Sequence, residues 1–398
     1  MSDTQKHTKP NVPDLRFPGF EGEWARCTLG EIGEPYIGLT YSPADVVNEG
    51  GTIVFRSSNI QNGEIDYSDI VRVNKKIKDS IITRKDDLLI CARNGSPRLI
   101  GKNALLKDAD AGQTFGAFML VFRSNDNHFV HQLLSTKGYY SQVSENLGAR
   151  INQITTSNIK DFEFYFPKSI AERNKIAVFL NLIDERISIQ NKVIERYQSL
   201  IRAIIQDSQQ KTTDRIYLRD ILTERKELNA NGYQICSVSV IRGIVNQVEY
   251  LGRSFAAKET SHYHVVRKGD IVYTKSPTGA FPFGIIKQSS IESPVAVSPL
   301  YGVYEPKSFE IGQYLHYYFC SHENALNYLH PLIQKGAKNT INITNQHFLD
   351  NKVSIPCKPV LKTTVAAIMF LANRCSIEEE THYLYSKQKE YFLKNLFI

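Results

Sequence analysis

The chain has 398 residues, 42% hydrophobic and 22% charged, with 23 Gly and 15 Pro. That composition excludes disorder and collagen-like repeats, and the length suits two or three domains with real cores. Formal net charge is +7, which makes a polyanion an electrostatically compatible partner. The six cysteines, Cys27, Cys91, Cys236, Cys320, Cys357 and Cys375, are scattered and form no C-x-x-C. This argues against a disulfide framework or thiolate zinc site and fits a reducing compartment. The first ten residues, M-S-D-T-Q-K-H-T-K-P, carry no apolar stretch of a signal peptide. Charge interrupts every greasy segment, so no membrane-spanning helix is expected.

In chain order, 51–56 reads as a strand, and Ile60 to Ile65 as a hairpin turning on Asn62-Gly63. Residues 87–92 and 117–122 are β-rich runs, and 160–166 alternates toward Pro167. One amphipathic helix is expected between Phe129 and Tyr140. A long helix follows over roughly 169–208. Residues 270–274 and 351–355 are again strand-like, with one helix expected from Ile311 to Leu329. A second long helix is expected over roughly 359–397.

These elements repeat. Leu29-Gly30-Glu31-Ile32 aligns with Leu218-Arg219-Asp220-Ile221 at an offset of 189. The run from Arg84 to Ile90 aligns with that from Arg267 to Tyr273 at 183. Gly148-Ala149-Arg150-Ile151-Asn152 aligns with Gly336-Ala337-Lys338-Asn339-Thr340 at 188, as do Thr156-x-Asn158 and Thr344-x-Gln346. Each half then reaches a proline, Pro167 or Pro356, followed by a long charged and apolar stretch. Matches in one order with a drifting offset are the signature of two copies of one fold with loop insertions.

The first long helix carries a heptad seam at Ile176, Leu180, Ile183, Ile187, Gln190, Ile194, Tyr197, Ile201 and Ile204, with steps alternating 4 and 3. Thirty-seven residues of helix reach about 55 Å. A helix of this length would leave its seam wet alone. The second copy is the expected partner, and an antiparallel pair follows because each helix leaves one module and runs toward the other. The second copy is weaker, with Glu378, Glu379, Glu380 and Thr381 at its centre. The alternative is that each helix packs only on its own module.

With these features the chain resembles the specificity (S) subunit of type I restriction–modification systems. The opening Pro13 to Trp24 is similar to that family's N-terminal segment, and Leu29-Gly30-Glu31-Ile32 to the start of a target recognition domain. Ile170 to Leu180 resembles the start of the central conserved region, where E-Q-x-K-I-A-x-F-L is common; here Arg173 replaces the Gln. The second helical region departs from the pattern, with Pro359 to Val365 in place of such a start.

The resemblance implies an α+β chain. Two mostly-β target recognition domains with a few helices are each followed by a long helix, and the two helices form an antiparallel coiled coil. The expected divisions are an N-terminal extension (1–21), recognition domain one (22–168), a central helical region (169–211), recognition domain two (212–357) and a C-terminal helical region (358–398). Each recognition domain would read one half of a split, asymmetric double-stranded DNA target. The helices would carry two methyltransferase (M) subunits, which hold S-adenosylmethionine and methylate adenine at N6. Restriction (R) subunits would add ATP- and Mg-dependent translocation and cleavage. The chain itself would be non-catalytic, without cofactor, cytoplasmic and away from membranes. An orphan or switching copy, a coiled-coil scaffold that ignores DNA, and a self-contained DNA enzyme are the other readings.

Motifs for chemistry in this chain are missing. No N-P-P-F or N-P-P-Y holds a target base, and no F-x-G-x-G loop awaits a methionine cofactor. The stretch from Gly95 to Asn103 has one residue too many between its glycines, and Asn where a phosphate loop needs Ser or Thr. No H-E-x-x-H occurs, and His262-x-His264 lacks carboxylate company at metal spacing.

Candidate DNA contacts sit on loops. Arg93, Asn94 and Arg98 lie on one turn after a strand, and Lys275 and Thr278 follow the matching strand of the second copy. Arg suits guanine and Asn suits adenine as bidentate partners, while phosphate contact serves any of them. Arg150 and Asn152, with Lys335, Lys338 and Asn339, mark the basic loop present in both copies. Each of these loops is equally readable as solvated structure. The run Lys75, Lys76, Lys78 reads as solvated surface.

Overall fold

The computed structural model describes residues 11–147, 152–212, 215–247, 259–335 and 341–398. The chain divides into two units. Unit one holds the residues up to Asn191 together with Glu380–Ile398, and unit two holds Lys192–Glu379.

In unit one, a four-stranded antiparallel sheet has the order Glu34–Ile37, Met119–Arg123, Leu88–Cys91, Asn103–Leu105. A second four-stranded sheet is built from Thr114–Phe115, Thr52–Phe55, Val71–Val73 and Val46–Val47, its first pair parallel. Ala25–Thr28 pairs antiparallel with Glu163–Phe166 and so ties the start of the module to its end. The Asn62-Gly63 hairpin forms as expected, both residues at positive φ (52° and 79°), which a two-residue turn of this kind requires.

Unit two repeats the first sheet and the closing ribbon, while Cys236–Ser239 with Gly243–Asn246 and His264–Val266 with Val295–Val297 form separate two-stranded ladders. Its four-stranded sheet runs Leu222–Glu224, Gly302–Pro306, Ile271–Tyr273, Ile286–Gln288, and Arg215–Tyr217 pairs with Lys352–Ser354 as the closing ribbon. The repeat has an atomic basis at the Arg-Lys-Asp-Asp and Arg-Lys-Gly-Asp turns. The Asp87 carboxylate accepts from the Arg84 amide at 2.9 Å, and that of Asp270 from the Arg267 amide at 2.8 Å. The residue between is left-handed in both, Asp86 at φ 63° and Gly269 at φ 91°. Each buried carboxylate also takes two bonds from a guanidinium, Asp87 from Arg123 and Asp270 from Arg225. The acid is the same in both copies; the arginine arrives from a different strand.

The single helix expected at 129–140 is two helices, and so is the one expected at 311–329. Asn127–Leu133 and Lys137–Glu145 are separated by a break where Thr136 caps the second by accepting from the Tyr139 amide. Phe309–Cys320 and His322–Leu329 are separated at Ser321, which accepts from the Asn324 amide. An N-cap hydroxyl ends one helix and starts the next while the apolar spacing continues through it.

The two long helices are Ile170–Gln210 and Lys358–Asn395. They pack antiparallel. In unit one, Phe179 meets Phe392 edge to face at 4.8 Å, Lys389 pairs with Asp184, and Arg186 donates to the Tyr385 hydroxyl at 3.3 Å. In unit two, the Cys375 thiol faces the Ile194 carbonyl at 4.0 Å. The helices also pack on the modules. Ile176, Leu180 and Ile183 enter the core of unit one with Leu396 and Phe397. Ile201 and Ile205 enter that of unit two with Leu361, Val365 and Ile368. Of the heptad seam, Ile176, Leu180, Ile183 and Ile201 are buried, and Ile187, Gln190, Ile194, Tyr197 and Ile204 are half-buried.

An 18-residue stretch of Lys358–Asn395 reaches a mean hydropathy of 1.3, enough by length and composition to cross a membrane, with 22% of it buried. The run from Val365 to Ala372 is uncharged, and Val365 and Ile368 within it serve the unit-two core.

Candidate nucleic-acid interface

In unit one the fold brings together the loops that carry Arg93, Asn94, Arg98 and Asn152. Arg93 forms an isolated bridge to Gln153, and the Asn94 amide donates to the Asn152 carbonyl at 3.3 Å. Asn152 Nδ2 donates to the Gly95 carbonyl at 3.1 Å. Asn94 donates Nδ2 to the Ser57 hydroxyl at 2.9 Å and accepts from the Ser96 amide at 3.0 Å. The side-chain amides of Asn94 and Asn152 therefore hold this loop pair in shape. Arg93 and Arg98 are exposed, Arg98 on the short helical turn Pro97–Leu99 that Pro97 initiates. Arg150 lies outside the described residues.

Arg93 is seated by a neighbour that the sequence did not single out. Its guanidinium lies 4.8 Å over the ring of Phe118, and its amide donates to the Phe118 carbonyl at 2.9 Å. Phe118 is 57% exposed, unusual for a large apolar side chain. It precedes the strand Met119–Arg123. At the corresponding place before Gly302–Pro306 stands Leu300, 70% exposed. An apolar residue just before a strand reads from sequence as part of the buried strand, so periodicity hides both.

In unit two, Lys275 is half-buried with φ 60°, and burial lowers its ammonium below the usual lysine range against the attraction of Glu224. Thr278 is exposed on a tight turn closed by reciprocal backbone bonds with Phe281 at 3.0 Å. Lys335 ends the strand Gln334–Lys335, paired with Ile341–Asn342. Lys338 and Asn339 lie outside the described residues. Among the described residues, no group of three or more His, Cys, Asp and Glu is placed to hold a metal. His264 is engaged with the Tyr301 carbonyl at 2.9 Å. Lys75 contacts the Thr40 carbonyl and Asp45.

Residues 21–196 match the type I restriction modification DNA specificity domain. The StySPI specificity subunit of Salmonella potsdam, a type I restriction enzyme component, is 26% identical over 188 residues, which is 45% of this chain and 40% of that protein. The EcoKI specificity subunit of Escherichia coli K12 is 24% identical over 286 residues, 63% of this chain and 61% of that protein. The matches thus span less than two thirds of either relative's length. In fold, the chain is similar to the crystal structure of a type I S subunit from M. genitalium, with a TM-score of 0.62, 16% identity, and coverage of 97% of this chain and 99% of that one.

Proposed function

We propose that this chain, identified as a specificity subunit of the type I restriction–modification kind, reads a split and asymmetric duplex DNA target and positions two methyltransferase subunits on it. The observation that carries the reading is the internal repeat: one sheet order in both units, each followed by a long helix. Two similar modules with different loops suit two different half-sites, and linking them makes the second contact intramolecular.

In unit one, Arg93 and Arg98 supply the exposed cations, and Asn94 and Asn152 shape the loop that presents them. Phe118 adds a flat apolar surface beside Arg93. Unit two offers Thr278, the paired strands Gln334–Lys335 and Ile341–Asn342, and Leu300 in the matching places. Divisions at 22–168 and 212–357 enclose these loops.

The methyltransferase subunits dock, on this reading, along the outward faces of the long helices. Val178, Leu182 and Ile189 are 57%, 54% and 59% exposed and fall on one helical face by their spacing. In the assembled enzyme, S-adenosylmethionine belongs to the M subunits, which methylate adenine at N6, and ATP and Mg belong to the R subunits. This chain works as the non-catalytic reader, in the cytoplasm.

The test is duplex binding by the complex of this chain with a methyltransferase partner, across 50–200 mM salt. The reading expects binding that weakens with salt and a preference for one split sequence. Binding of all duplexes alike would overturn it.

A further inference from the structure

Cys320 closes the helix Phe309–Cys320, which packs on the edge strand Ile286–Gln288 of the unit-two sheet. The strand turns Lys287 inward. Lys287 is only 6% exposed, so its ammonium is costly to bury without a counter-charge. The partner it has is sulfur: Nζ lies 3.1 Å from Cys320 Sγ. His316, one helical turn before Cys320, hydrogen-bonds the same sulfur. The Gln288 amide donates to His316 Nδ1 at 3.0 Å, which places the ring proton on Nε2, where it can be donated. Tyr317 stands near both Cys320 and, from the second long helix, Cys375. Burial pushes this thiol up, while the bond from His316 and the adjacent Lys287 ammonium pull it below the usual thiol range. A buried ammonium next to a thiol is balanced in charge only when the thiol is ionised. Cys320 as a residue is half-buried rather than enclosed.

We infer that Cys320 and Lys287 form a modification site for small oxidants and electrophiles: a thiolate–ammonium pair that peroxide converts into a covalent sulfur–nitrogen link between helix and sheet edge. The thiolate attacks peroxide, the O–O bond breaks, and a sulfenic acid and hydroxide result. Hydroxide takes a proton from the Lys287 ammonium. The amine nitrogen then attacks sulfur, a S–N bond forms, and the S–O bond breaks with loss of water. Thiolate, ammonium and one peroxide become one sulfenamide and two waters; sulfur is oxidised by two electrons and peroxide is reduced by two. The inference is independent of the DNA reading, since it needs only the unit-two fold.

Limiting iodoacetamide on the native full chain, followed by peptide mass spectrometry across pH 5–9 and normalised to the exposed Cys357, reads the thiolate. Cys320 should reach half its plateau rate below the usual thiol value of about pH 8.5. Lys287→Met should shift that midpoint upward, lowering the rate about tenfold for each unit moved at pH values well below the midpoint. Peroxide at pH 7 should yield a cross-linked peptide pair joining positions 287 and 320, lighter by two hydrogens and reversed by thiols, absent from Cys320→Ser. Alkylation of wild-type Cys320 that rises only above pH 8, or that waits for unfolding, would overturn the ion pair. Peroxide products confined to sulfinic and sulfonic acid, or a disulfide to Cys375, would overturn the link.

Discussion

The most exacting stability prediction concerns the fastening of the N-terminal segment to the first long helix. Glu172 lies in the first turn of that helix with its side chain 2% exposed; the Arg16 side chain is 18% exposed. Its carboxylate accepts from Arg16 Nε and Nη2 at 2.7 and 2.8 Å and from Trp24 Nε1 at 3.4 Å. The two halves of the pair are unequal. Arg16→Met strands a carboxylate among apolar groups with the Trp24 indole as its remaining side-chain donor, so the full cost of breaking a buried pair applies, about 3–5 kcal/mol. Glu172→Gln strands a guanidinium that still donates to the Gly22 and Glu21 carbonyls and can reach water, so the cost falls to about 2–3 kcal/mol. The double variant removes both charges and should be milder than the sum by about 2 kcal/mol. Urea unfolding followed by Trp24 fluorescence, the chain's one tryptophan, reports on this unit directly. Glu172→Gln costing more than Arg16→Met, or the two adding within about 0.5 kcal/mol, would refute the reasoning.

Other expectations follow from the same geometry. Leu180→Ala, at a fully buried seam position, should cost about 2–5 kcal/mol in urea melts, whereas Val178→Ala should cost under about 0.5 kcal/mol and instead weaken co-purification with a methyltransferase subunit. Asp86→Gly, at φ 63°, should be neutral or stabilising by up to about 1 kcal/mol, and Asp86→Val destabilising, by thermal melting. His131 is half-buried, and desolvation of its ring depresses it to about 4, against the opposing charge of Asp184. Its folded form is neutral, so its contribution is complete above the unfolded value near pH 6.5 and is lost as pH falls toward 4. His131→Asn should flatten that part of the pH–melting curve. Arg93→Ala and Arg98→Ala should each reduce the salt slope of duplex binding by about 1 if the contact is to phosphate.

What the sequence made legible was whatever local chemistry dictates. The Arg-Lys-Asp-Asp and Arg-Lys-Gly-Asp turns were visible because the same backbone geometry needs the same acid and a left-handed residue before it. The heptad was visible because packing enforces its period. The breaks at Thr136 and Ser321 were missed because amphipathic spacing runs through them; the capping hydroxyls were the available signal. Phe118 and Leu300 were hidden at strand starts. That the Asn94 and Asn152 amides are spent on holding loops depends on Ser57 and Gly95, partners that only folding brings near. Lys287 and Cys320, 33 residues apart, meet through helix-on-sheet packing that no spacing rule encodes.

The central claim is that this chain selects a split DNA target for methylation. The direct measurement is methylome sequencing of a host lacking adenine methylation, carrying this gene with a cognate methyltransferase gene, against the methyltransferase gene alone. A new two-part motif with methyladenine in both halves, only one of which changes when residues 212–357 are exchanged, is the expected result. A stable complex that leaves no new motif, or a motif whose two halves change together, would contradict it.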